Sequence, residues 1–287
     1  MGRTEAASNT PVAGTPWSPG HAVVGILNVT PDSFSDGGDF LDPEAAAAHA
    51  LTLLDEGASI VDVGGESTRP GSEPVPQEEE IRRVVPVIER LLAARPEAMI
   101  SVDTYRSETA TAALEAGARI VNDVTALRGD PRMAPVVADA RCPVIIMHMQ
   151  GEPKTMQREP RYEDVVSEVR DLLASRAEHA VAAGIGPDDI VVDPGIGFGK
   201  TLEHNLALLR NLEAVVGLGF PVLVGASRKR FIGTITGVKE ASERVFGTVA
   251  TTVLAYEKGA TLFRVHDVRP NREALAVAEA VLHASRP

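Results

Sequence analysis

The sequence is poor in cysteine, in excess positive charge and in long apolar runs. One cysteine, Cys142, stands in 287 residues, so no intrachain disulfide can form. Its place just before the apolar run Val144–Met147 makes a buried thiol a simpler reading than a nucleophile. Positive charge is outnumbered, with 28 Lys and Arg against 40 Asp and Glu and a formal net charge of −12. A nucleic-acid binder needs a basic face to neutralise phosphates, so no nucleic-acid partner is expected, and any anionic ligand must meet locally focused positive charge. The apolar runs fall far short of the roughly 20 residues that span a bilayer, so no membrane partner is expected. Residues 1–20 are small, polar and rich in Pro and Gly, without the apolar stretch of a secretory signal. The expectation is a flexible tail over 1–20 and one folded domain over 21–287, in a cytoplasmic protein. His49, His179, His204 and His283 form no His-x-x-x-His spacing, which speaks against zinc and for a hard, oxygen-bound metal if there is one.

What is present is a repeating pattern. Short β-branched runs at 23–28, 60–64, 99–103, 119–123, 144–148, 190–193, 222–225 and 262–265 are separated by amphipathic, Ala/Leu-rich stretches, among them 43–56, 78–94 and 162–183. Eight such pairs predict βα units around a parallel sheet, in a length suited to one barrel domain. A doubly wound open sheet would usually have fewer strands and a Gly-rich phosphate fingerprint after the first, which is missing here. The predicted fold class is therefore α/β, a single (β/α)8 TIM barrel.

Polar residues gather where the predicted strands end: Asn28, Asp62 with Glu66, Asp103, Asn122 with Asp123, His148, Asp193, Ser227 to Lys229, and Arg264 with His266. In such a barrel the C-terminal strand ends share one mouth, so these side chains would surround one substrate. Any one of them could instead cap the helix that follows, and Lys229 could be an ordinary solvated charge in the run 228–230. His148 stays open among metal ligand, general base and a satisfied polar group under the pocket.

Two loops carry turn formers mixed with polar side chains and suit mobile lids. They are Asn28-Val29-Thr30-Pro31-Asp32-Ser33-Phe34-Ser35-Asp36-Gly37-Gly38 and Asp62-Val63-Gly64-Gly65-Glu66-Ser67-Thr68-Arg69-Pro70-Gly71. With Ser101-Val102-Asp103-Thr104, Asn122-Asp123-Val124, Met147-His148-Met149-Gln150-Gly151, Asp193-Pro194-Gly195-Ile196-Gly197-Phe198-Gly199-Lys200, Gly225-Ala226-Ser227-Arg228-Lys229-Arg230-Phe231 and Arg264-Val265-His266-Asp267-Val268, they resemble the dihydropteroate synthases in type, order and spacing. The resemblance runs from about residue 21 to the C-terminus.

That resemblance implies a barrel enzyme that joins a dihydropterin diphosphate to 4-aminobenzoate and releases diphosphate, with Mg2+, a homodimer and sulfonamide competition. By resemblance, Asp193 takes the aminopyrimidine edge of the pterin, Asn122 pairs with the ring, Asp103 holds ring nitrogens from the opposite side, and Lys229 donates to the carbonyl or a ring nitrogen. Thr68, Arg69, Arg264 and His266 receive the diphosphate, Asn28 offers Mg2+ a neutral oxygen, and Asp32 faces the developing cation. Phe34 and Pro70 wall the aminobenzoate ring, and Ser227 binds its carboxylate. The chemistry fits the residue types, because a pterin edge of alternating donors and acceptors asks for carboxylates and an amide at fixed positions. Two rival readings remain, a pterin-binding methyltransferase barrel and a non-catalytic paralogue.

Overall fold

The computed structural model describes residues 20–30, 42–67, 72–151 and 154–284. Its eight strands are β1 (Ala22–Asn28), β2 (Ile60–Gly64), β3 (Ile100–Asp103), β4 (Ile120–Asp123), β5 (Val144–Met147), β6 (Ile190–Asp193), β7 (Leu223–Val224) and β8 (Leu262–Val265). The helices used below are α1 (Pro43–Asp55), α2 (Gln77–Ala94), α3 (Ser107–Glu115), α4 (Met133–Ala140), α5 (Val165–Ala182), α6 (Leu202–Arg210), α7 (Glu213–Val216), α8 (Arg230–Thr236), α9 (Val245–Glu257) and α10 (Val268–Leu282).

Every paired ladder is parallel, and the strands run in the order β6-β5-β4-β3-β2-β1-β8-β7. A parallel bridge between Val192 and Val222 joins the two ends of that row, so the sheet closes as the eight-unit pattern predicted. Strand side chains alternate between the faces. The outward set, including Val61, Val63, Val102, Val121, Ile146 and Val192, packs under the helices in one continuous core. The inward set begins at the N-terminal end with a second cluster of Ala22, Val24, Ile60, Ile120, Ile145, Val191, Leu223 and Leu262, which plugs the barrel.

Boundaries follow local chemistry. Asp164 accepts from the Val166 amide at 3.1 Å and caps α5, so the helix starts at Val165, later than the apolar pattern from 162 suggests. Strand β5 ends at Met147, one residue short of expectation, although the His148 amide still donates to the Asp193 carbonyl at 2.9 Å. Cys142 is buried and free, its thiol pushed up to about 11 by burial, as an inert structural thiol should be. Among the described residues no helix is long and apolar enough to cross a membrane. Residues 1–19 of the expected tail, residues 31–38 of the first expected lid and residues 68–71 of the second lie outside the described residues.

Candidate active site

Two residues further along the strands, the inward side chains change from apolar to polar: Ile60 gives way to Asp62, Ile120 to Asn122, Val191 to Asp193 and Leu262 to Arg264. The contacts among them cross the barrel. Arg264 donates from Nε to Asp62 Oδ2 at 2.6 Å and from Nη2 to Asp103 Oδ2 at 2.7 Å. Asp62 also accepts from Ser101 Oγ at 2.5 Å and from Asn122 Nδ2 at 3.1 Å. Strands β2, β3, β4 and β8 therefore meet in one buried network on the inward face of the curved sheet, across β1, which pairs with both β2 and β8.

Each bond to a charged group in that network contributes about 1.5–3 kcal/mol, and it offsets a large desolvation cost. The titrations record this competition. Burial lowers the Arg264 pKa, but Asp62 and Asp103 outweigh it and leave the guanidinium more firmly protonated than usual. Burial pushes Asp103 up to about 7 against the pull of Arg264.

Asp193 sits beside this network, since a Cβ built on Gly225 would lie 3.9 Å from Asp193 Oδ2 and 3.8 Å from Arg264 Cβ. Its Oδ1 accepts from the Gly195 amide at 2.7 Å, and burial raises its pKa despite the opposing charge of Lys229. Lys229 is drawn out of the basic run 228–230 by its neighbours. Arg228, with φ at 58°, pairs with Asp267 at 2.6 Å, and Arg230 is exposed. Lys229 instead donates to the Ile196 carbonyl and lies 4.5 Å from the centre of the Phe198 ring. Burial pushes it down to about 8, with Asp193 resisting.

Ser227 and His266 are neighbours at the ends of β7 and β8, with Ser227 Oγ 3.1 Å from both the His266 amide nitrogen and Nδ1. Asn28 ends β1 opposite Gly64 in the register. Asp103, Asn122, Asp193, Lys229 and Arg264 thus share the C-terminal end of the barrel interior, with Ser227, His266 and Asn28 at the same end. Asp32, Phe34, Thr68, Arg69 and Pro70 lie outside the described residues.

Asp62, expected among the strand-end residues but without an assigned role, is the hub of the rim. Its parity with Ile60 was the available signal, because a carboxylate two residues past an inward isoleucine must also face inward. Two other strand-end acids have structural work. Asp123 accepts from the Thr125 and Leu127 amides at 2.7 and 2.9 Å, which holds a turn with Ala126 and Leu127 at positive φ. Glu66 accepts from Arg106 at 2.8 Å and from the Tyr105 hydroxyl at 2.9 Å; burial and Glu66 push that hydroxyl up to about 12. Arg106 also reaches Glu80 at 2.6 Å, tying the β2 and β3 loops together.

The position of His148 fits a satisfied polar group. Its Nδ1 lies 2.9 Å from Lys200 Nζ, and burial, followed by the charge of Lys200, pushes its pKa down to about 3. Among the described residues no group of three or more His, Cys, Asp or Glu side chains could hold a metal ion.

Fold and rim together define a TIM barrel whose polar rim lies at the C-terminal ends of the strands, where enzymes of this fold carry their active sites. A family described as pterin binding enzymes matches residues 24–266. A curated relative from Mycobacterium leprae, a dihydropteroate synthase, is 48% identical over 268 residues, covering 91% of this chain and 94% of its own. The Xanthomonas albilineans dihydropteroate synthase solved with 4-aminobenzoic acid superposes with a TM-score of 0.87 at 50% identity, over 92% of this chain and 94% of that one. The same enzyme in complex with 7,8-dihydropteroate gives a TM-score of 0.84 at 48% identity, over 92% and 95%. The chain belongs to the pterin-binding enzyme family, among its dihydropteroate synthases.

Proposed function

We propose that the chain joins the methylene carbon of a dihydropterin diphosphate to the amine nitrogen of 4-aminobenzoate, forming 7,8-dihydropteroate and diphosphate. The observation that carries this reading is the set of Asp62, Asp103, Asn122, Asp193, Lys229 and Arg264 gathered at one end of the barrel, its acids and amide buried. It offers a planar heterocycle acceptors, an amide and a cationic donor, all held by neighbours before any ligand arrives. A methyltransferase barrel could hold a pterin similarly, but it would have no use for diphosphate donors, and the relatives favour the synthase.

In this reading Asp193, Asn122 and Lys229 orient the ring. Arg264 supports it by fixing the carboxylates of Asp62 and Asp103, and its remaining nitrogen, Nη1, has no partner among the described residues. That makes Arg264 a pocket-floor residue as well as an anion donor. The methylene C–O bond breaks, its electrons leave with the diphosphate, and the ring shares the positive charge left on carbon. The arylamine then forms the C–N bond and loses one proton. His266, Thr68 and Arg69 receive the diphosphate, and Ser227, Phe34 and Pro70 hold the aminobenzoate. Asp32 faces the cation, and the loops that carry it and Arg69 exclude water.

The donor set suits Mg2+ arriving with the substrate, because one neutral oxygen from Asn28 leaves room for diphosphate oxygens and water. When bound, Mg2+ would neutralise charge on the departing diphosphate. Sulfonamides, which resemble the arylamine substrate, should compete with 4-aminobenzoate.

We also assign the protein to the cytoplasm and to a homodimer. Supporting the dimer is an apolar face on α9 and α10, where Phe246 is 88% and Val281 69% exposed around a groove of about 750 Å3 lined by Val245, Phe246, Val249 and Val277. Exposed apolar area of this kind is what a second copy would cover.

The test is an incubation of the chain with dihydropterin diphosphate, 4-aminobenzoate and Mg2+. Stoichiometric dihydropteroate and diphosphate are expected. Diphosphate release without dihydropteroate, or neither product, overturns the reading.

A further inference from the structure

The segment 193–200 ends in a buried lysine that the proposed chemistry does not use. Lys200 is 3% exposed, and its Nζ has three partners: His148 Nδ1 at 2.9 Å, the Gly195 carbonyl at 2.9 Å and the Phe198 carbonyl at 3.0 Å. It therefore grips the loop after β6 at two points and the end of β5 at a third.

Lys200 shares that loop with other contacts: Ile196 is buried in the core, the Gly197 amide donates to Asn205 Oδ1 at 2.6 Å, and the Tyr162 hydroxyl donates to the Gly199 carbonyl at 2.8 Å. Gly195, Gly197 and Gly199 all have positive φ, a conformation in which glycine is the least restrained residue. A Cβ on Gly195 would fall 1.9 Å from the His148 carbonyl oxygen, so the loop runs hard against the end of β5. The face it presents to the cavity is the one Lys229 uses. Lys229 donates to the Ile196 carbonyl, lies over the Phe198 ring at 4.5 Å, and would be met at 2.9 Å by a Cβ on Gly197. The carbonyls that Lys200 holds, at 195 and 198, bracket those two contacts.

We propose that Lys200 is a positioning residue: as an ammonium clipped to His148 it fixes the 195–199 loop, and through that loop sets where Lys229 and Phe198 meet the pterin. The three partners are two carbonyls and an imidazole nitrogen, and an ammonium has three N–H groups to give. His148 then accepts at Nδ1 and carries its proton on Nε2. The negative charge of Asp193 favours the ammonium, although burial pushes it down to about 7. A neutral amine could make the same contacts only by accepting from an Nδ1–H imidazole, so the tautomer of His148 reports which arrangement holds.

The inference rests on the synthase reading for its kinetic consequence but not for its geometry, and the tests separate the two. In the unsubstituted protein, 15N spectra of the imidazoles, with His148 assigned by loss of its signals in His148→Gln, should show a neutral ring protonated at Nε2. A ring protonated at Nδ1 overturns the clip. In Lys200→Ala, KM for dihydropterin diphosphate should rise about tenfold or more while KM for 4-aminobenzoate stays within about twofold. n-Propylammonium, which replaces the atoms removed, should restore the pterin KM, and tetramethylammonium, charged but without N–H, should not. An unchanged pterin KM, or equal rescue by both cations, overturns the proposal. If Lys200→Ala does not fold, the imidazole spectrum still decides. Absence of dihydropteroate formation by the unsubstituted chain defeats the activity reading and leaves the clip standing or falling on the tautomer.

Discussion

The two ends of the barrel interior are built from the same strands yet share almost no chemistry. At the N-terminal end Val24, Ile60, Ile120, Val191 and Leu262 fill the lumen with apolar volume. One inward step along, about 6.6 Å away, Asp62, Asn122, Asp193 and Arg264 replace four of these with a bonded polar layer. The lower layer can only hold the strands together, while the upper one can also recognise. Separating the two along the strand axis lets the plug carry stability without constraining the shape of the pocket.

The largest expected effect comes from breaking the upper layer at its hub. Arg264→Leu leaves Asp62 and Asp103 buried without their cation, which should cost about 3–5 kcal/mol in denaturant unfolding and abolish turnover. A loss below about 1 kcal/mol would mean that the network is not closed in solution. Asp193→Ala and Lys229→Ala should each lower turnover by roughly a hundred- to a thousandfold with melting temperatures nearly unchanged, and near-normal product formation in either removes that residue from the site. The opposite signature belongs to the lower layer, where Ile120→Ala should cost about 2–4 kcal/mol in stability and leave both substrate KM values alone. A raised pterin KM in that variant would show that the layers are not separable.

A pH profile sharpens the contrast further. Lys229 is pushed down to about 8, and its ammonium is the form that donates to the pterin, so kcat/KM for the pterin substrate should fall as pH rises through about 8. Lys229→Arg, whose group stays protonated, should lose the step near 8 while the step set by the Lys200 ammonium, near 7, remains. The smallest effect lies outside the barrel: Phe246→Asp should convert a dimer into a monomer in light scattering while turnover per chain stays close to normal.

The fold was legible because β-branched runs alternate with amphipathic helices, and seven of the eight strand positions need little physics beyond periodicity. The segment at 222–225 reads as an ordinary strand, but its ladder is confined to Leu223–Val224, and Val222 serves instead as the closing bridge. The rim residues were legible by type and order, through Asp103, Asn122, Asp193, Lys229 and Arg264. The hub's role was not, because Asp62 meets Arg264 across 202 positions of sequence, and only the pairing of β1 with both β2 and β8 brings their strands side by side. Lys200 was hidden for a related reason: at the end of a glycine-rich loop it looks like a solvated charge, and its partners include the end of the previous strand, 52 residues earlier.

In this reading the upper layer, together with Lys229, grips the heterocycle. A crystal structure of the protein with dihydropterin diphosphate tests it most directly. The ring is expected within hydrogen-bond distance of Asn122, Asp193 and Lys229, with its diphosphate toward His266. A ring bound elsewhere, or one that leaves Asp193 and Lys229 untouched, would contradict it.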